Sequence, residues 1–152
     1  MELKLKALFE PLDIEIGDVT VHTAIDVTAE NLVTISDICT KAKSKMQGVS
    51  VMQKKAEAEK NHQLLQKVNR QAAEIMEPAI VAGIGQESYD EIVAACGAGR
   101  KISKAACNVV MMRVLMAIME TIKEQQSNTI DEKAAHYLAE AEDAQPEPYQ
   151  AE

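Results

Sequence analysis

Between Val109 and Met119 the chain reads Val-Val-Met-Met-Arg-Val-Leu-Met-Ala-Ile-Met, a run in which Arg113 alone is polar. At 3.6 residues per turn such a run sends apolar side chains in every direction, so a one-sided amphipathic helix is not its expected form. It calls for cover all round, from the chain's own helices, from other copies of it, or from a client polypeptide. A membrane crossing takes about 20 apolar residues. The run is shorter and carries a charge at its middle, so a buried helix of a soluble protein is expected.

Composition narrows what can surround that helix. A chain of 152 residues holding one Phe, three Tyr and no Trp must build its core from aliphatics, Ala and eight Met, which favours helices over a large sheet. No basic stretch leading into an apolar one opens the sequence, so no secretory signal is expected. Cys39, Cys96 and Cys107 show no metal or redox spacing and read as small core residues. A reducing cytoplasm is the expected compartment.

The net charge of −8 is unevenly spread. Residues 1–40 hold two basic against eight acidic side chains, and residues 41–70 reverse this with eight against two. Residues 71–126 hold five against seven, and residues 127–152 one against seven. A basic middle between acidic ends implies pairing between segments or between protomers. Nucleic acid is not an expected partner, because the basic segment lacks interleaved aromatics and the whole chain is acidic.

Local pattern predicts a mainly α, α+β fold. It begins with an N-terminal β-hairpin or small antiparallel sheet, continues as a four- to five-helix body and ends in a loosely ordered acidic tail. Leu3 and Leu5 alternate with Glu2, Lys4 and Lys6 as in a short strand, before Pro11. Leu12-Asp-Ile-Glu-Ile and Val19-Thr-Val flank Gly17-Asp18, the signature of a two-residue hairpin loop of type I′ or II′. That register sets Ile16 against Val19 and Ile14 against Val21, with alternation continuing through Ile25 and Val27.

Thr28 is the expected N-cap of a helix to about Gln47, closed by Gly48, with Leu32, Ile35, Cys39, Ala42 and Met46 as its stripe and Ile38 widening it. Lys41, Lys43 and Lys45 suit its C-terminal turns. Residues 50–63 are polar and read as an exposed helix or connection. A second stripe follows at Leu65, Val68, Ala72, Ile75 and Ala79, with Pro78 expected to kink or end it. Ser88 to Glu91 forms a capping box for a short helix ended by Gly97 or Gly99, and Ser103 is the expected cap of the apolar helix, which reaches about Gln125. One domain is thus expected over 1–126. Over 127–152 the reading is an acidic tail, with a short helix from the Thr129–Glu132 box, a thin stripe through Ile130, Ala134, Tyr137, Leu138 and Ala141, and then disorder.

No motif for chemistry stands out. Gly83-Ile-Gly85 and Gly97-Ala-Gly99 follow no predicted strand and match no phosphate loop. Arg100, Lys101 and Lys104 at a helix start oppose its dipole and read as a solvated or intersubunit patch rather than an anion site. Glu59-Lys-Asn-His62 has the Glu-x-x-His spacing of di-iron bundles, but His22 and His136 supply no second copy. Nothing gathers a nucleophile and a base. No catalytic residue, metal or cofactor is expected, and the chain reads as a non-enzyme. Its distinctive chemistry is thioether: Met111, Met112, Met116 and Met119, with Arg113 among them, are the candidate partner-binding residues. Met46, Met52 and Met76 lie on other elements. Flexible thioethers fill cores and also adapt to apolar partners.

Glu-Ile-Gly-Asp-Val-Thr-Val at 15–21, Arg-Gln-Ala-Ala-Glu-Ile-Met-Glu-Pro-Ala-Ile at 70–80 and the Cys96-Gly-Ala-Gly-Arg-Lys101 connection occur in the order hairpin, helical body, acidic tail. Over about residues 10–126 the chain resembles the tail assembly chaperones of long-tailed bacteriophages and prophages. The resemblance implies a non-catalytic cytoplasmic protein of the infected or lysogenic bacterial cell. Such a protein self-associates, coats apolar segments of the tape-measure protein and helps recruit tail-tube subunits, with neither membrane nor nucleic acid as partner. It also implies that a longer frameshifted form is made in many cases. Two other readings fit the same texture: another acidic helical chaperone or adaptor, such as a secretion chaperone, and a structural tail component of the virion.

Overall fold

A computed structural model of the chain describes residues 1–5 and 7–143, with residues 128–143 as backbone alone. The described residues are 71% helical, a two-stranded antiparallel sheet followed by four helices. Strands β1 (Phe9–Ile16) and β2 (Val19–Asp26) form the hairpin, and helices α1 (Ala29–Ala58), α2 (His62–Ile84), α3 (Gln86–Gly97) and α4 (Asn108–Asp143) form the body. A 3-10 turn, Lys104–Cys107, leads into α4. The expected disorder after Asp143 lies outside the described residues.

The hairpin has the register that its alternation specifies, with Ile16 opposite Val19 and Ile14 opposite Val21. Gly17 has φ +59° and Asp18 is not left-handed, so the loop matches type II′, which takes Gly first. Val21 and Ile25 are buried, while Leu12, Ile14 and Ile16 are half-buried. The strand expected at Leu3 and Leu5 is absent: the described residues before Phe9 are neither helix nor strand. A segment with alternating pattern but no neighbouring strand has nowhere to send its backbone hydrogen bonds except water.

A relay of side chains fixes the hairpin to the helices. Thr28 caps α1, its hydroxyl accepting from the Asn31 amide at 3.3 Å and donating to Asp26 Oδ1 at 2.7 Å. Asn31 Nδ2 donates to the carbonyls of Asp26 at 2.8 Å and Ala82 at 3.1 Å, so one amide ties the ends of β2 and α2 to α1. Ser88, expected to start α3, lies within that helix and receives the Thr23 hydroxyl at 2.8 Å instead. α3 begins two residues earlier, after Gly85 at φ +90°, because the glycine supplies the bend for which Ser88 is not needed.

Gly48 does not stop α1, and Pro78 does not end α2. α1 runs through Gly48 to Ala58, because the apolar stripe continues past it at Val49 and Ala56, both buried. The polar segment expected over 50–63 is therefore the last turns of α1, then a turn at Lys60 with φ +53°, then the start of α2. α2 likewise continues through Pro78 to Ile84. Proline removes one amide donor, but Pro78 is exposed, where the freed carbonyl can be hydrated, and Met76, Ala79, Ile80 and Ile84 are buried around it. Tertiary packing outweighs the local breaker in both helices. The Thr129 box does not open a new helix either, since α4 is continuous to Asp143.

α2 is the central helix, touching α1, α3, α4, β2 and the 3-10 turn. Among the glycines, Gly83 has the closest neighbours. A Cβ there would lie 2.9 Å from Ile118 Cγ2, 3.0 Å from Ile118 Cδ1 and 3.1 Å from Ile35 Cδ1, both isoleucines being fully buried. At Gly48 a Cβ would meet nothing within 4 Å. Opposite outcomes are expected in urea unfolding. Gly83→Ala should cost about 1–3 kcal/mol through overpacking, and Gly48→Ala should stabilise by about 0.5–1 kcal/mol, as expected for glycine in a helix interior.

Candidate interaction surface

α4 is packed on one side only. Met111, Val114, Leu115, Ile118 and Ile122 are buried, while Val109 and Met116 are 78% and 61% exposed, with the exposed Arg113 between them. The complete cover that the apolar run calls for is therefore not supplied by the described residues. The candidate partner-binding residues separate accordingly. Met111, at 1% exposure, belongs to the core and is not part of a free surface. Met112 is half-buried, and Met112, Arg113 and Met116 share a groove, whereas Met119, also half-buried, lines a separate recess with Ser36, Cys39, Thr40 and Ile122.

The groove shared by Met112, Arg113 and Met116 has a volume of about 600 Å³ and runs between α1, α2 and α4. Met46 and Val49 come from α1, Ala72 and Met76 from α2, and Val109 from α4. Four of its lining residues are methionines. Thioethers from three helices thus converge, a lining that reshapes around an apolar guest at little strain. At one end the side chain of Asn108 donates through Nδ2 to the Asn69 carbonyl at 2.8 Å, while its Oδ1 is buried with no donor among the described residues. Such an acceptor carries an unmet hydrogen-bonding demand at the groove.

Arg113 settles the direction in which α4 is open. It makes no hydrogen bond or ion pair among the described residues, and it lines both this groove and a second one of about 390 Å³ beneath β1. It stands on the ridge between them, reachable by water or another chain. α1 also exposes Lys43, Lys45, Lys54 and Lys55, with Lys41 held by Asp37 at 3.0 Å.

Several titratable groups take part in the framework around the helices. Lys104 donates to both oxygens of Glu77 at 2.8 and 3.0 Å, and lies 5.8 Å from the centre of the Tyr89 ring. The hydrogen bond that Lys104 donates to Glu77 raises the Lys104 pKa. Lys104 is thus paired within its own chain. Burial, and then the negative charge of Glu77, push the Tyr89 phenol up to about 12. Cys107 is pushed up to about 11 by burial and by the Cys96 thiol beside it. Eleven positions separate these two cysteines, a spacing that gives no hint of their proximity. Glu59 is the C-cap of α1 and His62 begins α2, so a turn at Lys60 separates the pair with metal-ligand spacing. Among the described residues no three His, Cys, Asp or Glu side chains form a group that could hold a metal. Residues 104–127 are long and apolar enough to cross a membrane by length and composition, and a third of the apolar window is buried in this fold.

Comparison with protein-family models, with curated proteins and with solved structures finds no match in any of the three.

The two faces of α4 should respond differently to truncation. Met111→Ala should cost about 2–5 kcal/mol as a core deletion, and Met116→Ala should change stability by no more than about 0.5 kcal/mol, both read from urea midpoints. Tyr89 gives a pH test. Its folded pKa lies above the ordinary value of 10, so its contribution is full below pH 10 and is lost as pH rises toward 12. Tyr89→Phe should flatten the alkaline fall in stability over that range, leaving the part due to Cys107.

Proposed function

We propose that this protein is a non-catalytic chaperone that holds apolar helical segments of a client in the methionine groove between α1, α2 and α4. The observation that carries the reading is the uncovered face of α4, where Val109, Met112 and Met116 look onto a groove lined by further methionines. An amphipathic helix laid there would complete the burial that α4 lacks. The exposed lysines of α1 favour a client with acidic residues flanking its apolar stripe. The same lining favours breadth over selectivity, because thioethers repack around different apolar contours.

The resemblance over residues 10–126 supplies the client class. In that reading the protein is a phage or prophage tail assembly chaperone acting in the bacterial cytoplasm. It keeps the long apolar tape-measure protein soluble and helps recruit tail-tube subunits, and it acts as a homo-oligomer.

Co-expression with an apolar coiled-coil segment of a tape-measure protein tests this directly. The wild-type chain should keep the segment in the supernatant. Val109→Asp with Met116→Asp should let it aggregate, while the variant keeps the wild-type helical circular dichroism and urea midpoint. An unchanged soluble yield with the variant would contradict the groove as the client site.

A further inference from the structure

The N-terminal segment and the outer edge of β1 fit one another, and a single chain cannot join them. Val27 N–H donates to the Leu8 carbonyl at 3.1 Å, and Ile16 opposite Val19 closes the two-residue loop. In an antiparallel ladder hydrogen-bonded and non-bonded pairs alternate, so residues 8, 10, 12, 14 and 16 turn their backbone groups toward β2. Phe9, Pro11, Asp13 and Glu15 turn theirs outward. Among the described residues β1 pairs with β2 alone, so none of them forms a strand on that outer edge. Pro11 stands at an outward position, where its missing N–H costs no ladder bond, and it confines any added strand to the Asp13–Ile16 half.

The side chains of that half are sorted by face. Leu12, Ile14 and Ile16 look onto the groove of about 390 Å³ that Val110, Val114 and Ala117 of α4 complete. Asp13 and Glu15 are exposed on the opposite face, where Asp13 meets His22 at 2.9 Å and Glu15 has no ion-pair partner among the described residues. The segment before Phe9 repeats this sorting. Leu3 and Leu5 are 79% and 80% exposed, and Lys4 between them is exposed and likewise unpaired among the described residues.

We propose that Leu3–Leu5 of one copy adds as a strand to the outer edge of β1 in a second copy. Leu3 and Leu5 drop into the groove against α4, and Lys4 lies on the acidic face beside Glu15, the carboxylate that His22 does not hold. Opposed residues in neighbouring strands share a face, so one register satisfies the apolar and the charged positions together. The occupant is a second copy because the chain's own segment cannot reach. Leu8 is held by Val27, and Asp13 lies five residues further on, about 17 Å along the strand. Leu5 is three residues from Leu8, a span of about 11 Å at full extension. The exchange is reciprocal, each copy giving a segment and receiving one, which makes a closed two-fold pair.

Sedimentation equilibrium of the full chain provides the test. The wild type should associate as dimers. Leu3→Asp with Leu5→Asp should weaken association by at least ~100-fold, the equivalent of losing two buried leucines per segment, with unchanged circular dichroism because neither side chain belongs to the core. Lys4→Glu and Glu15→Lys should each weaken self-association, and mixing those two variants should restore heterodimers, since the exchanged charges again face one another. A wild type that stays monomeric at several hundred micromolar would overturn the proposal. So would association that survives the double aspartate variant, or charge variants that mixing does not rescue.

Discussion

The structure depends on the contact of Ile118 with Gly83. Three buried elements meet there, since the Ile118 methyls and Ile35 Cδ1 occupy the space in which any larger residue at position 83 would place its Cβ. α4 is thereby drawn against α2 along the line of Met111, Leu115, Ile118 and Ile122, with Val114 beside it. A helix held so closely by one face must present the opposite face outward. For most surface helices that face is polar. In α4 it carries Val109 and Met116, and the packing that orders the core is what leaves the apolar groove open.

The other interactions set the positions of what borders the groove. The Asp26–Thr28–Asn31 relay fixes where α1 begins relative to the hairpin, and Asn31 reaches on to the end of α2. Lys104 holds the 3-10 turn to α2 through Glu77, and Ser103 caps that turn by accepting from the Ala106 amide. α4 therefore enters its packing face already aligned, with Asn108 anchored to the Asn69 carbonyl at the groove's end. These are polar interactions at partly exposed sites, each of modest net value, and their effect is to fix register more than to add stability.

What the sequence discloses follows from the range of the forces involved. The hairpin register is legible because period-two alternation and a Gly-Asp loop are local, and one residue of slip would reverse every side chain. Thr28 is legible as a cap for the same reason, whereas Ser103, expected to cap the apolar helix, caps the 3-10 turn before it, and α4 begins only at Asn108. Gly48, Pro78 and Ser88 mislead because each is a local signal overridden at a distance: Val49 and Ala56 carry α1 past the glycine, the core around Met76 and Ile80 carries α2 past the proline, and Thr23 claims the serine hydroxyl. The faces of the Val109–Met119 run are illegible in principle. When nearly every side chain is apolar, pattern does not separate Met111 from Met116, and only the geometry of Gly83 and its neighbours does. The contributions of Met46 and Met76 to the groove depend on the same helix crossings.

One face of α4 is open in the free protein, and under the proposed function a client helix covers it. Methyl-labelled methionine spectra recorded with a soluble paramagnetic probe read this residue by residue. The account predicts strong broadening of the Met116 methyl and none of Met111 in the free chain, with the Met116 broadening lost when an apolar client helix is added. A Met116 methyl already protected in the free chain, or one equally broadened with client bound, would contradict it.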